Sequence, residues 1–178
     1  MLQDSSQRYG SVSRLLHWAM AALFTWQFLG MVLKNMLGRT PLTGFWVGSH
    51  ASVGTLLFLL VLIRLVWALG QKAKRPAHGR DLVGRLAAAG HIALYVLMIV
   101  VPSLGILRMF GSDKPISLFG VSLRGPGEEV LWMTEPANLV HSTLAWLLLA
   151  LIVGHVAMAL VHHFAWKDGT LRRMAGRA

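Results

Sequence analysis

Four apolar runs, each long enough to cross a lipid bilayer, constrain this chain more than any other feature. They cover Leu15–Leu33, His50–Leu69, Leu86–Leu107 and Leu139–Val161, and none contains Asp or Glu. A membrane-crossing helix needs roughly 17–25 mostly apolar residues. An open sheet cannot stand in lipid, and barrel strands would alternate apolar with polar residues, so the runs read as helices. The expected fold is all-α: an integral membrane four-helix bundle, up-down and antiparallel, forming a single membrane domain over 1–178. The spans are expected at about 14–37, 46–69, 86–108 and 138–163. Arg64 falls near the end of the second run, where a long cation reaches the headgroups. The first run is too long for a signal-peptide core and has no small-residue cleavage site, so it is expected to stay as a span. Composition agrees: 13% of the residues are charged, against about 25% in soluble domains, which excludes an ordinary soluble enzyme. Cysteine is absent, which removes disulfides, thiolate nucleophiles, iron–sulfur clusters and zinc–thiolate sites.

Charge gives the direction. Arg8 and Arg14 precede the first span. Lys72, Lys74, Arg75, Arg80 and Arg85 follow the second, with Arg64 close by, and Lys167, Arg172, Arg173 and Arg177 follow the fourth. The opposite side carries only Lys34, Arg39, Arg108, Lys114 and Arg124, together with Asp113, Glu128, Glu129 and Glu135. Positive residues flank spans on the cytoplasmic side, so both termini are expected there. The net charge of +10 has this origin, and nucleic acid is not expected as a partner. A short polar stretch, Thr40-Pro41-Leu42-Thr43-Gly44, joins the first two spans. The long loop from Phe110 to Asn138 is punctuated by Gly and Pro, and one short surface helix is expected in it, near Glu128 to Met133.

A histidine inside a span is costly and marks function. His17, His50, His91 and His141 each lie near the start of a span, and His155 lies further along the fourth. Because neighbouring spans run in opposite directions, His50 and His141 share the outer level while His17, His91 and His155 share the inner one. His141 and His155 are 14 residues apart, or ~21 Å along a helix. Two heptads separate them, so both rings face the same way to within ~40°. One helix thus offers an imidazole at each of two depths, as two stacked flat metal cofactors require. A haem iron takes two axial ligands. At the outer level His50 pairs with His141; at the inner level His17 and His91 both compete for His155. Small residues one turn along (Ala21, Gly54, Ala145, Ala159) leave room for a flat ring, whereas His91 has Tyr95 there. That favours His17, although Ala87 and Ala88 flank His91 on its other side. A bare-metal carrier or proton transporter would bring carboxylates into the spans, and there are none.

Several stretches resemble the bacterial di-haem cytochrome b561 family. They are Arg14-Leu15-Leu16-His17-Trp18, Gly48-Ser49-His50-Ala51-Ser52-Val53-Gly54, Ala89-Gly90-His91, and the closing run from His162-His163-Phe164-Ala165-Trp166-Lys167-Asp168-Gly169-Thr170 to Leu171-Arg172-Arg173-Met174. The resemblance covers essentially the whole chain. It implies two haem b groups in the bacterial inner membrane, one held by His17 and His155 and the other by His50 and His141, with His91 left over. It also implies electron transfer between haem and quinone, in one branch as a superoxide:ubiquinone oxidoreductase. The alternative it allows is a haem-bearing anchor that relays electrons for a partner dehydrogenase or hydrogenase. Under the first reading, Arg108, Lys114 and Arg124 would attract superoxide on the outer side. His162 would contact ubiquinone near the inner haem, with His78 standing about where the family places a loop lysine and Lys74 and Arg75 just upstream.

Overall fold

A computed structural model describes residues 1–75 and 81–176. Four helices carry the architecture: α1 (Ser11–Leu37), α2 (Pro41–Gly70), α3 (Leu82–Gly111) and α4 (Leu131–Val161), the last continued by a π-helical turn, His162–Trp166. All four are long and apolar enough to cross a membrane. α2 begins earlier than the polar link predicted. Thr40 and Thr43 exchange side-chain and backbone hydrogen bonds in a capping box, and Pro41 takes the first helical position, where its missing N–H is not needed. α3 starts under Asp81, whose carboxylate accepts the Gly84 N–H at 3.0 Å.

Consecutive helices pack closely: α1 on α2, α2 on α3, α3 on α4. The backbones of α1 and α4, and of α2 and α4, are not packed together in the same way. Mid-bundle, Met20, Leu57, Val61, Leu94, Met98 and Leu148 form a dry core. Outward, Leu59, Ile63, Val66, Leu139 and Val153 remain exposed, as lipid-facing positions do.

The two ends differ. At the end bearing the termini, Asp4 is buried and organises the N-terminal segment. It accepts from Gly10 N (2.8 Å), Ser13 Oγ (2.9 Å) and Arg75 Nε (2.7 Å). Ser13 in turn accepts from Trp67 Nε1 at 2.9 Å, so α1, α2 and the following loop are tied together. A short helix, α5 (Thr170–Ala175), folds back to α1, where Trp18 Nε1 donates to the Met174 carbonyl at 3.2 Å.

At the other end, the loop between α3 and α4 holds an antiparallel hairpin, β1 (Ile116–Leu118) and β2 (Val121–Arg124). Its turn, Phe119–Gly120, has φ of 52° and 82°. Positive φ at both positions suits the twist of a two-residue hairpin, but it strains Phe119, which Gly120 does not share. The Phe119 N–H is held by Ser52 Oγ of α2 at 2.9 Å. Arg124 clamps the hairpin to the end of α3 by donating to the carbonyls of Phe110 and Ser112. The surface helix expected near Glu128–Met133 is helical from Leu131, where it opens α4 and runs unbroken through Pro136. Pro136 is the sixth helical residue, so it denies the Trp132 carbonyl an i→i−4 donor, yet the helix is not split there.

Candidate functional site

The histidines fall at two levels set by helix position. His17 is six residues from the start of α1, and His155 is six from the end of α4. Both are therefore ~9 Å from the terminus-bearing end of their helix. His50 and His141 lie nine and ten residues from the starts of α2 and α4, at the hairpin-bearing end.

Across each level, rings from separate helices meet. The centres of His50 and His141 are 6.2 Å apart with planes at 71°. Those of His17 and His155 are 6.3 Å apart at 74°. An imidazole nitrogen sits about 2 Å from the metal it binds and roughly 1.2 Å from its own ring centre, so two rings sharing one ion from opposite sides have centres about 6.4 Å apart. Both pairs have that spacing. His91 also approaches His155, with centres 5.3 Å apart at 78°. That is about an ångström too close for sharing an ion. Its Nδ1 donates to the Ala87 carbonyl of its own helix at 2.7 Å.

The polar chemistry also suits a bound metal group. His141 Nδ1 lies 3.0 Å from the Val101 carbonyl. A carbonyl only accepts, so Nδ1 carries the proton and Nε2 keeps its lone pair for a metal. Nδ1 of His17 and Nδ1 of His50 are buried with no hydrogen-bond partner among the described residues. Such groups are rare in a finished interior. Both pairs also bridge helices that do not otherwise pack closely, α4 with α1 and α4 with α2. The residues present therefore fit haem.

The residues proposed to clear space behave unequally. Gly54 faces Gln27 of α1, whose Nε2 would lie 3.3 Å from an added Cβ and donates to the His50 carbonyl at 3.0 Å. The small residue against a candidate ligand is Gly105 of α3, where an added Cβ would meet His141 Cε1 at 3.1 Å.

His162 opens the π-helical turn at the terminus-bearing end, and its Nδ1 donates to Asp168 Oδ2 at 2.5 Å. Lys167, with φ 53°, and Gly169, with φ 78°, turn the chain back so that Asp168 can reach. Asp168 Oδ1 accepts the Thr170 N–H at 2.9 Å. Slight desolvation pushes the Asp168 carboxyl up, but the hydrogen bonds from Thr170 and His162 outweigh it and hold the group at about 2. His78 lies outside the described residues. Of the cations, Arg108 is close enough for its charge to act on His141, and Lys114 is exposed in the loop before β1. Arg124 spends its donors on backbone carbonyls.

Sequence reasoning missed Asp168, Gln27 and Gly105. The spacing of Asp168 from His162, six residues across a Lys-Asp-Gly turn, was the available signal.

Comparison with known proteins converges on one group. A profile of prokaryotic cytochrome b561 matches residues 8–177. Cytochrome b561 homolog 2 of Escherichia coli (strain K12) is 34% identical over 98% of this chain and 95% of its own length. Cytochrome b561 homolog 1 of the same organism is 26% identical over 96% and 98%. A protein of Yersinia pestis named probable superoxide oxidase CybB is 25% identical over 94% and 96%.

Proposed function

From the premise that this chain belongs to the prokaryotic cytochrome b561 family of haem b membrane electron-transfer proteins, we propose that it holds two haem b groups and carries electrons from superoxide to ubiquinone. The observation that carries the reading is the pair of cross-helix imidazole contacts with nearly equal spacing, 6.2 and 6.3 Å, reached from α4 at positions 14 residues apart. His50 and His141 would hold the outer group, and His17 and His155 the inner one. The name of the Yersinia pestis relative supports superoxide as donor. The excess of cations around the termini supports an inner-membrane protein with both termini cytoplasmic.

Haem b, when bound, supplies a one-electron carrier at each level. The rest is the work of side chains. The Val101 carbonyl fixes the His141 tautomer and ring direction. Arg108 and Lys114 present positive charge on the outer side, where a small anion is drawn in. Arg124 is foremost the clamp that holds the hairpin to the end of α3. On the inner side, Asp168 is ionised throughout the physiological range and keeps the Nδ1 proton of His162. Nε2 of His162 is thereby the atom left to face a quinone; on taking a proton from the cytoplasm it donates to a quinone oxygen and passes that proton to it, the imidazolium being balanced by the Asp168 carboxylate. Two superoxide anions yield two dioxygen molecules, and their two electrons, with two protons from the cytoplasm, reduce one quinone to quinol.

Purified protein should show the reduced Soret and α bands of haem b, bleach superoxide and reduce a soluble ubiquinone analogue without any partner. Folded protein that is colourless after growth with ample iron overturns the reading. Coloured protein that transfers electrons only when a dehydrogenase subunit is added shows a relay anchor instead.

A further inference from the structure

Arg64 is a cation within a membrane-crossing helix, six residues from the terminus-bearing end of α2. That is the depth of His17 and His155, each six residues from the same end of its own helix. The Arg64 side chain is half-buried, and its guanidinium lies 5.9 Å from the centre of the Tyr95 ring on α3. It therefore leans into the bundle instead of standing free at the headgroups.

A charge at such a depth costs several kcal/mol at the bilayer centre and somewhat less nearer the surface, unless something compensates it. Stacking on a tyrosine returns only about 0.5–2 kcal/mol. No acidic side chain among the described residues does the rest. All seven acidic side chains belong to the described residues, and the ion pairs among them are Arg75 with Asp4 and His162 with Asp168. Asp4, on the same end of the bundle, already accepts from Gly10, Ser13 and Arg75. The cation at the level of the inner histidine pair thus lacks an anionic partner among the described residues.

We propose that Arg64 is the counter-cation of an ionised propionate carboxylate on the haem held between His17 and His155, so that it both seats that group and raises its reduction potential. The inference rests on the ligand assignment above. Haem b carries its carboxylates on one edge, and a guanidinium offers the planar donor fork that suits them. A fixed positive charge beside the centre favours its electron-rich state, so the inner haem is the better acceptor for an electron from the outer one.

The test is a potentiometric titration of the purified holoprotein, following the α bands of both haems, in the wild type and in Arg64→Gln, Arg64→Lys and His155→Ala. The His155→Ala variant identifies the inner component as the one it removes. Arg64→Gln should lower the midpoint potential of that component and leave the outer one in place. Arg64→Lys, which keeps the charge but not the fork, should give a smaller shift and covers the case in which the Gln variant does not fold. Redox-difference infrared spectra of protein grown with haem 13C-labelled at the propionates should show the labelled carboxylate bands displaced in Arg64→Lys. Unchanged inner potential in both variants, or labelled bands identical to wild type, overturns the proposal. If His155→Ala removes no haem, the ligand assignment has failed, and that result is separate from any effect at Arg64.

Discussion

A metal-sharing pair of imidazoles is sensitive to single side chains in a way that a packed core is not. His141→Ala and His155→Ala should each abolish one haem component in the reduced spectrum and leave the other. His91→Ala should leave both, because His91 lies too close to His155 to share an ion and already donates to Ala87. Retention of both components in His155→Ala would defeat the inner assignment. A second residue-scale effect concerns Asp4. Burial pushes its carboxyl up, but hydrogen bonds from Ser13 and Gly10 and the Arg75 guanidinium together hold it below the ordinary value. A depressed carboxyl stabilises the folded state fully above its unfolded value, about pH 4. That contribution is lost as the pH falls through the lower, folded value. Asp4→Asn should therefore loosen the N-terminal segment at neutral pH by about 1–3 kcal/mol. It should also remove the acid-induced step that limited proteolysis of residues 1–10 would show in the wild type. At this scale the sequence spoke clearly where helix geometry alone decides, as for His141 and His155. For Asp168 it offered only the six-residue spacing from His162, because the two meet through a left-handed Lys167 after a π-helical turn, and neither feature leaves a periodic trace.

Elements decide how exactly those side chains are held. Gly105 of α3 stands where a Cβ would meet His141 at 3.1 Å. A methyl there needs the ring to give by a few tenths of an ångström, whereas a branched chain must displace it. Gly105→Ala should keep the outer haem with a slightly altered spectrum, and Gly105→Leu should lose it. Full outer-haem content in Gly105→Leu would show that α3 does not set that ring. Helix existence was legible because each span is a long apolar run, but the α2 start was not, since Thr40 and Pro41 read equally well as a link and as a cap. The hairpin escaped notice for a related reason. Strands of three and four residues are too short for alternation to register. What holds them is Arg124 on the end of α3 and Ser52 under the turn, contacts distant in sequence.

Across the molecule, α1–α2, α2–α3 and α3–α4 pack closely, while α4 reaches α1 and α2 through Leu148 in the mid-bundle core and through the histidine pairs nearer the two ends. α4 meets α3 closely, but it is joined to α1 and α2 through His155 with His17 and His141 with His50 rather than by packed backbones. In lipid no hydrophobic drive pushes helices together, so a gap of this kind is not sealed by burial alone. Under the proposed ligand assignment, a haem gripped from both sides would add a further link, and its binding would add to stability as RT ln(1 + [L]/Kd). With haem at 100 to 1,000 times its dissociation constant the gain is about 2.7–4.1 kcal/mol per site, on the order of 5–15 °C in a chain of this size. Protein produced under iron limitation and purified in the same detergent should unfold lower by about twice that margin, once for each proposed site. His141→Ala and His155→Ala should each unfold between the apo and holo forms, because each gives up one of two clasps. Helicity measured by circular dichroism should be nearly unchanged before the transition, since each span satisfies its own backbone whether or not the gap is bridged. Equal transition temperatures for haem-loaded and haem-depleted protein would mean that α4 is held by packing against α3 and by Leu148 in the mid-bundle core, and that the paired imidazoles do not contribute to the stability of the fold.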